Sequence, residues 1–345
     1  MTFKGSYIEI TNRCNLDCRD CYNSSGRNKI TVELDIDILI KYIEDLIVVY
    51  STKIITISGG EPLLHSKFDE LLDRLTELSQ RHPQVVFSFI TNGTLYNRKF
   101  YDLLEKNSQF MVQISLDGPN EEICASMRGA GTFTKVIDNV LKRKFFHKPV
   151  YKMIINKTNA PYVEEYFHFV YEQLKGLPCY GFANPQGNAV KNWTEMALSP
   201  LEKAKILAIV QKKYKEYNIK EVALPAPTVH CDLTDTDGIK DFCIKSDGSV
   251  QPCQNLYDNK FCIGNIYNLN WELLKTNIDK LSLYLSARLE KDYGCKKCLL
   301  NNNCGKGCPA FSFMMNEGLL TSDEDCDFRR LATIMMIKTE KELDK

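Results

Sequence analysis

The chain has 345 residues, enough for one large domain and a smaller one, and 44% of them are apolar, enough for a full core. Lys plus Arg and Asp plus Glu each number 44, so no basic excess points to nucleic acid, and no run nears the roughly 18 apolar residues of a membrane span. The first residues, Met1 to Ser6, lack the apolar stretch of a signal peptide, so the expected location is the cytoplasm. In that reducing compartment 14 clustered cysteines read as metal ligands rather than disulfides.

In chain order, a short apolar strand Tyr7 to Ile10 is followed by Cys14, Cys18 and Cys21 in a C-x3-C-x2-C spacing. A helical period begins at Thr31, with Val32, Ile36, Leu39, Ile43, Leu46 and Tyr50 on one face. Strands follow at Lys53 to Ser58, Val85 to Thr91, Phe110 to Leu116, Tyr151 to Asn156 and Tyr180 to Ala183, with helices over Phe68 to Leu78, Phe133 to Leu141 and Tyr162 to Leu174 between them. Strands alternating with helices predict parallel βα units, closed or partly closed into a barrel. The unusual residues all follow strands: the cysteine triad, Gly59-Gly60-Glu61-Pro62, Thr91-Asn92-Gly93, and Ser115 with Asp117-Gly118. That is the face where such barrels build active sites.

A helix near Leu201 to Tyr217 closes this regime, and Pro225 and Pro227 mark a linker. The expected organisation is residues 1–217 as the barrel, 218–230 as linker, 231–330 as a loop-rich, cysteine-rich domain, and 331–345 as a terminal helix. Eight cysteines of the second half are patterned: Cys231, Cys243 and Cys253, then Cys295, Cys298, Cys304 and Cys308, then Cys326. They suit two closed cubane clusters or two zinc ions equally well, because soft thiolates serve both. Cys124, Cys179 and Cys262 fall outside the pattern and read as buried, inert thiols.

The triad differs from the later sets in being one ligand short. Three thiolates can hold three irons of a cubane and leave the fourth open to a small ligand, whereas a zinc site would lack its fourth donor. Gly59 and Gly60 allow close backbone approach to a ligand, Glu61 offers a carboxylate for an ammonium group, and Ser115 a hydroxyl. Arg128 has the fork shape that suits a carboxylate. Asp117 reads equally as turn residue and ligand contact, and Asn184-Pro185-Gln186-Gly187-Asn188 as backbone contacts for an adenine.

On these motifs, with Gly248-x4-Cys253 and Gly264-Asn265-Ile266, the chain resembles the radical SAM superfamily in its branch with a C-terminal SPASM domain. The resemblance implies a partial (β/α)6 TIM-type barrel followed by a SPASM domain. It implies three 4Fe-4S clusters: one on Cys14, Cys18 and Cys21 that binds S-adenosylmethionine, one on Cys231, Cys243, Cys253 and Cys308, and one on Cys295, Cys298, Cys304 and Cys326. The cofactor contacts carried over are Gly59, Gly60, Glu61, Asn92, Ser115 and Arg128. Asp20 departs from the family, where the residue before the third cysteine is commonly aromatic.

The activity implied is generation of a 5′-deoxyadenosyl radical that modifies a ribosomally made peptide through a thioether, carbon-carbon or carbon-oxygen cross-link. The implied partners are a peptide or protein substrate, an external one-electron donor such as flavodoxin or ferredoxin, and a separate leader-recognition protein or the SPASM surface in its place. Oxidation of Cys or Ser in a protein by a sulfatase-maturase relative is the runner-up; Gln254 stands where that subfamily commonly has an acid. Epimerisation would need a thiol donor from Cys124, Cys179 or Cys262, and a zinc-stabilised binding protein is the alternative from outside enzymology.

Overall fold

The computed structural model describes residues 3–27, 29–223, 226, 231–234, 240–292, 294–301, 304–316, 318–321 and 325–343. The first half runs β1 (Phe3–Glu9), α1 (Ile36–Val48), β2 (Ile54–Ser58), α2 (Phe68–Arg81), β3 (Val86–Thr91), α3 (Arg98–Lys106), β4 (Phe110–Ser115), α4 (Glu121–Arg128), α5 (Thr132–Val140), β5 (Val150–Ile155), α6 (Val163–His168) and β6 (Leu177–Phe182). Then come α7 (Ala189–Met196), α8 (Pro200–Glu216), β7 (Lys240–Ile244), β8 (Ser249–Gln251), β9 (Gly264–Asn265), α9 (Trp271–Glu290), α10 (Pro309–Asn316) and α11 (Cys326–Leu343).

Among the described residues the nine strands form one sheet in the order β6-β5-β4-β3-β2-β1-β7-β8-β9. Strands β1 to β6 pair in parallel, as the partial barrel requires, and the sheet ends at β6 and β9 instead of closing on itself. The second half adds to that sheet: β7 pairs parallel to β1, and β8 and β9 continue antiparallel. Each barrel strand alternates faces, so Phe87, Phe89, Val112 and Ile114 are buried against the helices while their neighbours face the inside.

Three elements differ from the sequence expectation. Helix α1 starts at Ile36, not Thr31, because Asp35 caps it by accepting from Ile38 N at 3.1 Å. The segment before it is tied elsewhere: Asn12 N donates to Val32 O and Leu34 N to Ile10 O. The loop-rich region after Cys231 contains one long element that the sequence expectation lacked, α9, which spans 20 residues. Its buried side chains Leu274, Ile278, Ser282 and Leu285 share one stripe, but Leu273, Leu283 and Tyr284 are exposed on the others, so the apolar period is blurred. The terminal helix begins at Cys326 and packs Phe328 and Ala332 against Ala204 and Leu207 of α8. Buried Lys203 joins that contact to Asp325 at 2.7 Å. Pro225 and Pro227 of the expected linker lie outside the described residues. Among the described residues no helix is long and apolar enough to cross a membrane.

Candidate functional site

A cavity of about 180 Å³ opens at the C-terminal ends of the barrel strands. Cys14, Cys18 and Cys21 line it together with Gly59, Gly60, Asn92, Ser115 and Arg128. The loop carrying the three thiols is fastened from several sides. Gly60 N donates to Thr11 O and Glu61 N to Arg13 O, both at 2.7 Å, while Arg19 N donates to Met127 O at 3.0 Å. The approach at Gly60 is so close that a Cβ there would fall 2.1 Å from Arg13 O, so only glycine fits.

The thiols are dressed with donors. Leu16 N lies 3.4 Å from Cys14 Sγ, Asn92 Nδ2 at 3.8 Å from the same atom, and an Arg128 Nη at 3.8 Å from Cys18 Sγ. Burial pushes the Cys14 and Cys18 thiols up and carries Cys21 to about 12, the Arg128 charge opposing this at Cys14 and Cys18. Buried thiols that are hard to ionise alone, ringed by N–H groups that stabilise sulfur charge, suit a metal that displaces their protons. Among the described residues no three His, Cys, Asp or Glu are grouped to hold a single ion; the triad thiols border an open space instead.

Glu61 does not line the cavity. Its buried carboxylate accepts from Thr91 Oγ1 and Asn92 N at 2.7 Å and from Leu63 N at 3.3 Å, so it braces the β3 loop from behind. Burial outweighs those donors and lifts it from the ordinary 4.5 to about 7. A carboxyl raised on folding binds a proton that the unfolded chain releases between those values, so its contribution to stability falls as pH rises through that window. Replacing Glu61 by Gln is expected to remove this part of the decline, seen as a smaller shift in the urea midpoint between about pH 5 and about pH 7 than in the unmodified protein.

Asp117 is a brace as well. It is fully buried, holds Arg128 Nε at 2.6 Å and accepts from Ile154 N at 2.8 Å, joining β4, α4 and β5. The segment 184–188 straps the thiol loop and does not line the cavity. Asn188 N donates to Cys21 O and its Nδ2 to Cys18 O, both at 2.9 Å, and Gly187 crosses the Cys21 and Tyr22 carbonyls at φ 60°.

Sequence reasoning missed several lining residues. Gln113 and Lys152 stand on the inner faces of β4 and β5, Tyr7 on β1, and Tyr22 and Asn23 follow the triad. The period-2 rule applied from Ser115 would have placed Gln113, and the pairing of Ser115 with Lys152 would have placed the lysine. Behind Tyr7 and Tyr22 lies Glu9, which accepts from the Tyr22 and Tyr257 hydroxyls. Burial raises its carboxyl above the usual range.

The later cysteines gather in two places. Cys295, Cys298, Cys304 and Cys326 line one small cavity with Arg329 and Arg330, and backbone and Arg330 donors lower the Cys298 thiol. Cys231, Cys253 and Cys308 pack partly buried against the core, and each of the first two thiols feels the charge of Cys308. Cys243 is fully buried on β7 and feels Cys253 and Glu9. Arg288 on α9 holds the intervening loops by donating to the Lys306, Leu319 and Thr321 carbonyls. Of the unpatterned cysteines only Cys124 is fully buried; Cys179 is half-buried on β6 opposite Lys152, and Cys262 is exposed, so the expectation of buried thiols fails for these two.

Residues 8–156 match the radical SAM superfamily. The chain is 27% identical over 273 residues to the cysteine-type anaerobic sulfatase-maturating enzyme of Clostridium perfringens strain 13, covering 72% of each chain. It is 25% identical over 333 residues to the mycofactocin maturase MftC of Mycolicibacterium smegmatis, covering 92% of this chain and 81% of that one. Its fold is similar to that of native anSMEcpe with bound AdoMet, with a TM-score of 0.71 at 21% identity over 98% of this chain and 99% of the other.

Proposed function

This chain is an enzyme built on a radical SAM domain at residues 8–156, and from that premise we propose that it matures a ribosomally synthesised peptide by forming a cross-link. The coarser statement is that it is a radical SAM enzyme of the peptide or protein maturase type, as its relatives named maturases are. The observation that carries the reading is the convergence of Cys14, Cys18 and Cys21 with Gly60, Asn92, Ser115 and Arg128 on one cavity. In this reading the three thiols hold a 4Fe-4S cluster with an open iron, and Cys295, Cys298, Cys304 and Cys326 hold an auxiliary one. Cys231, Cys243, Cys253 and Cys308 hold the third.

When bound, the cluster and S-adenosylmethionine supply a 5′-deoxyadenosyl radical able to remove hydrogen from an unactivated C–H bond. The chain's own residues do the rest. Gly59 and Gly60 let the backbone approach the cofactor, Asn92 and Arg128 donate toward the thiols that carry the cluster, and the barrel wall of Gln113, Ser115, Lys152 and Ile154 keeps water out and aims the radical. An external one-electron donor such as flavodoxin or ferredoxin would supply the electron such a cluster needs, and a leader-recognition protein or the C-terminal surface would present the peptide.

Oxidation of a protein Cys or Ser is the second reading, favoured by the similarity to the sulfatase-maturating enzyme. Against it, Gln254 lines the cavity with an uncharged amide where a base is expected. Anaerobic co-expression with small open reading frames beside the gene, followed by peptide mass measurement, tests the proposal. Loss of two hydrogens from a peptide is expected. An unchanged mass with an inverted residue would replace cross-linking by epimerisation, and a colourless, zinc-loaded protein would overturn radical chemistry altogether.

A further inference from the structure

The amide of Gln251 is buried with nothing to bond. It ends β8 at 0% exposure, and neither its Nε2 nor its Oε1 has a hydrogen-bond partner among the described residues. Buried polar groups in folded proteins are almost always paired, so an amide left free at both ends marks where a partner arrives from outside the chain. The sheet register says what surrounds it. Gln251 stands directly opposite Cys243 on β7, and Cys243 in turn stands beside Tyr7 on β1. Residues paired across strands share a face, so one row runs Tyr7, Cys243, Gln251, and Tyr7 at its end lines the barrel cavity. Cys253 follows two places after Gln251. The polar neighbours are already committed: Lys245 Nζ donates to Asn259, Ser249 Oγ to Asp247, and the Tyr257 hydroxyl to Glu9.

We propose that Gln251 donates an N–H to a sulfur of the iron–sulfur cluster held by Cys243 and its partners, and so sets how readily that cluster accepts one electron. The inference rests on the auxiliary-cluster reading above. The surroundings fit such a group. Cys231 and Cys253 each feel the charge of Cys308, Cys243 feels Cys253, and burial raises all three thiols, which suits a metal that displaces their protons. Cluster sulfur accepts hydrogen bonds and has none to give, so the nitrogen end of the amide is the half it satisfies. Because the chain holds neither end, the amide is free to turn that way. Reduction adds negative charge to the sulfurs, so an N–H beside them stabilises the reduced state more than the oxidised one and raises the potential. The row from Tyr7 to Gln251 sets this acceptor next to the cavity of the Cys14, Cys18 and Cys21 thiols.

The test is an anaerobic redox titration of the cluster-loaded full chain followed by electron paramagnetic resonance, with Cys14, Cys18 and Cys21 replaced by alanine so that only the C-terminal clusters report. Gln251→Leu and Gln251→Met remove the N–H at similar volume. Each is expected to lower the midpoint of one cluster, so that its reduced-to-oxidised ratio at a given potential falls about tenfold, or about 59 mV for one electron. The other cluster's midpoint should stay where it was. An unmoved midpoint in both variants overturns the proposal, and so does a shift shared equally by both clusters, which would mark a general disturbance. Should both variants lose the cluster, the parent chain decides, with isotopic nitrogen in its glutamine side chains. A nitrogen coupling to an auxiliary cluster that survives Gln254→Met supports the role of Gln251, and its absence overturns it. If replacing Cys243 and Cys253 by alanine leaves the iron content unchanged, no cluster stands there. The auxiliary-cluster reading then fails separately and recognisably, and takes this proposal with it.

Discussion

A protein in which Cys14, Cys18 and Cys21 are all replaced by alanine is expected to form no 5′-deoxyadenosine above background when supplied with S-adenosylmethionine and a strong reductant under anaerobic conditions. The three thiols share one cavity, and each is buried enough that its thiolate is unfavourable until a metal takes it up. The change leaves the cavity of Cys295, Cys298, Cys304 and Cys326 intact, so iron content should fall by about one cubane, roughly four irons per chain, and not to zero. Product measured by chromatography beside iron analysis separates loss of one cluster from loss of the fold. Continued cleavage would move the reactive cluster to the C-terminal cysteines.

Arg128→Met is expected to destabilise the chain by about 3–5 kcal/mol, measured by denaturant unfolding, because it strands the carboxylate of Asp117 inside the protein. The pair is 2.6 Å apart, with side-chain exposures of 10% and 0%. Arg19 and Glu195 are equally close, but at 37% and 71% exposure water screens them, and the corresponding loss is about 0–1 kcal/mol. Distance alone does not rank these pairs; desolvation does. Changing Asp117 to Leu together with Arg128→Met should recover much of the loss, since the cost lies in the orphaned charge more than in the missing attraction. A single Arg128→Met variant as stable as the parent would show that water reaches Asp117.

The barrel was legible where its periods were clean. Strands with β-branched or aromatic residues on alternate positions, such as Val86 to Thr91 and Phe110 to Ser115, stand within a residue or two of their expected places. The sheet's extension through β7, β8 and β9 was not, because strands of five, three and two residues are too short to show a period, and the pairing of β7 with β1 that anchors them to the barrel is set by tertiary contact. Within the site, residue type foretold position well for Cys14, Gly60 and Ser115, whose placement after a strand decides the face they occupy. It failed for Glu61. A carboxylate after two glycines looks presented to a ligand, but the 3-10 turn at Pro62–Leu64 draws it inward, where backbone N–H groups need an acceptor. Lys152 and Tyr22 went unnoticed because a charge in a strand and a tyrosine beside a cysteine carry no signal until the strands are laid side by side.

The loop that bears Cys14, Cys18 and Cys21 sits near the start of the chain, yet its fastenings come from Gly60, Asn92, Met127 and Asn188. The farthest of these, from Asn188 to Cys18, joins positions 170 residues apart. Contacts of such long sequence separation form only after most intervening units have found each other. The thiol-bearing loop is therefore among the last segments to take its final shape. On the proposed cluster reading, iron and sulfide would enter at these thiols late in assembly, on a barrel already standing, and a chain truncated before Asn188 would lack the strap that closes the loop.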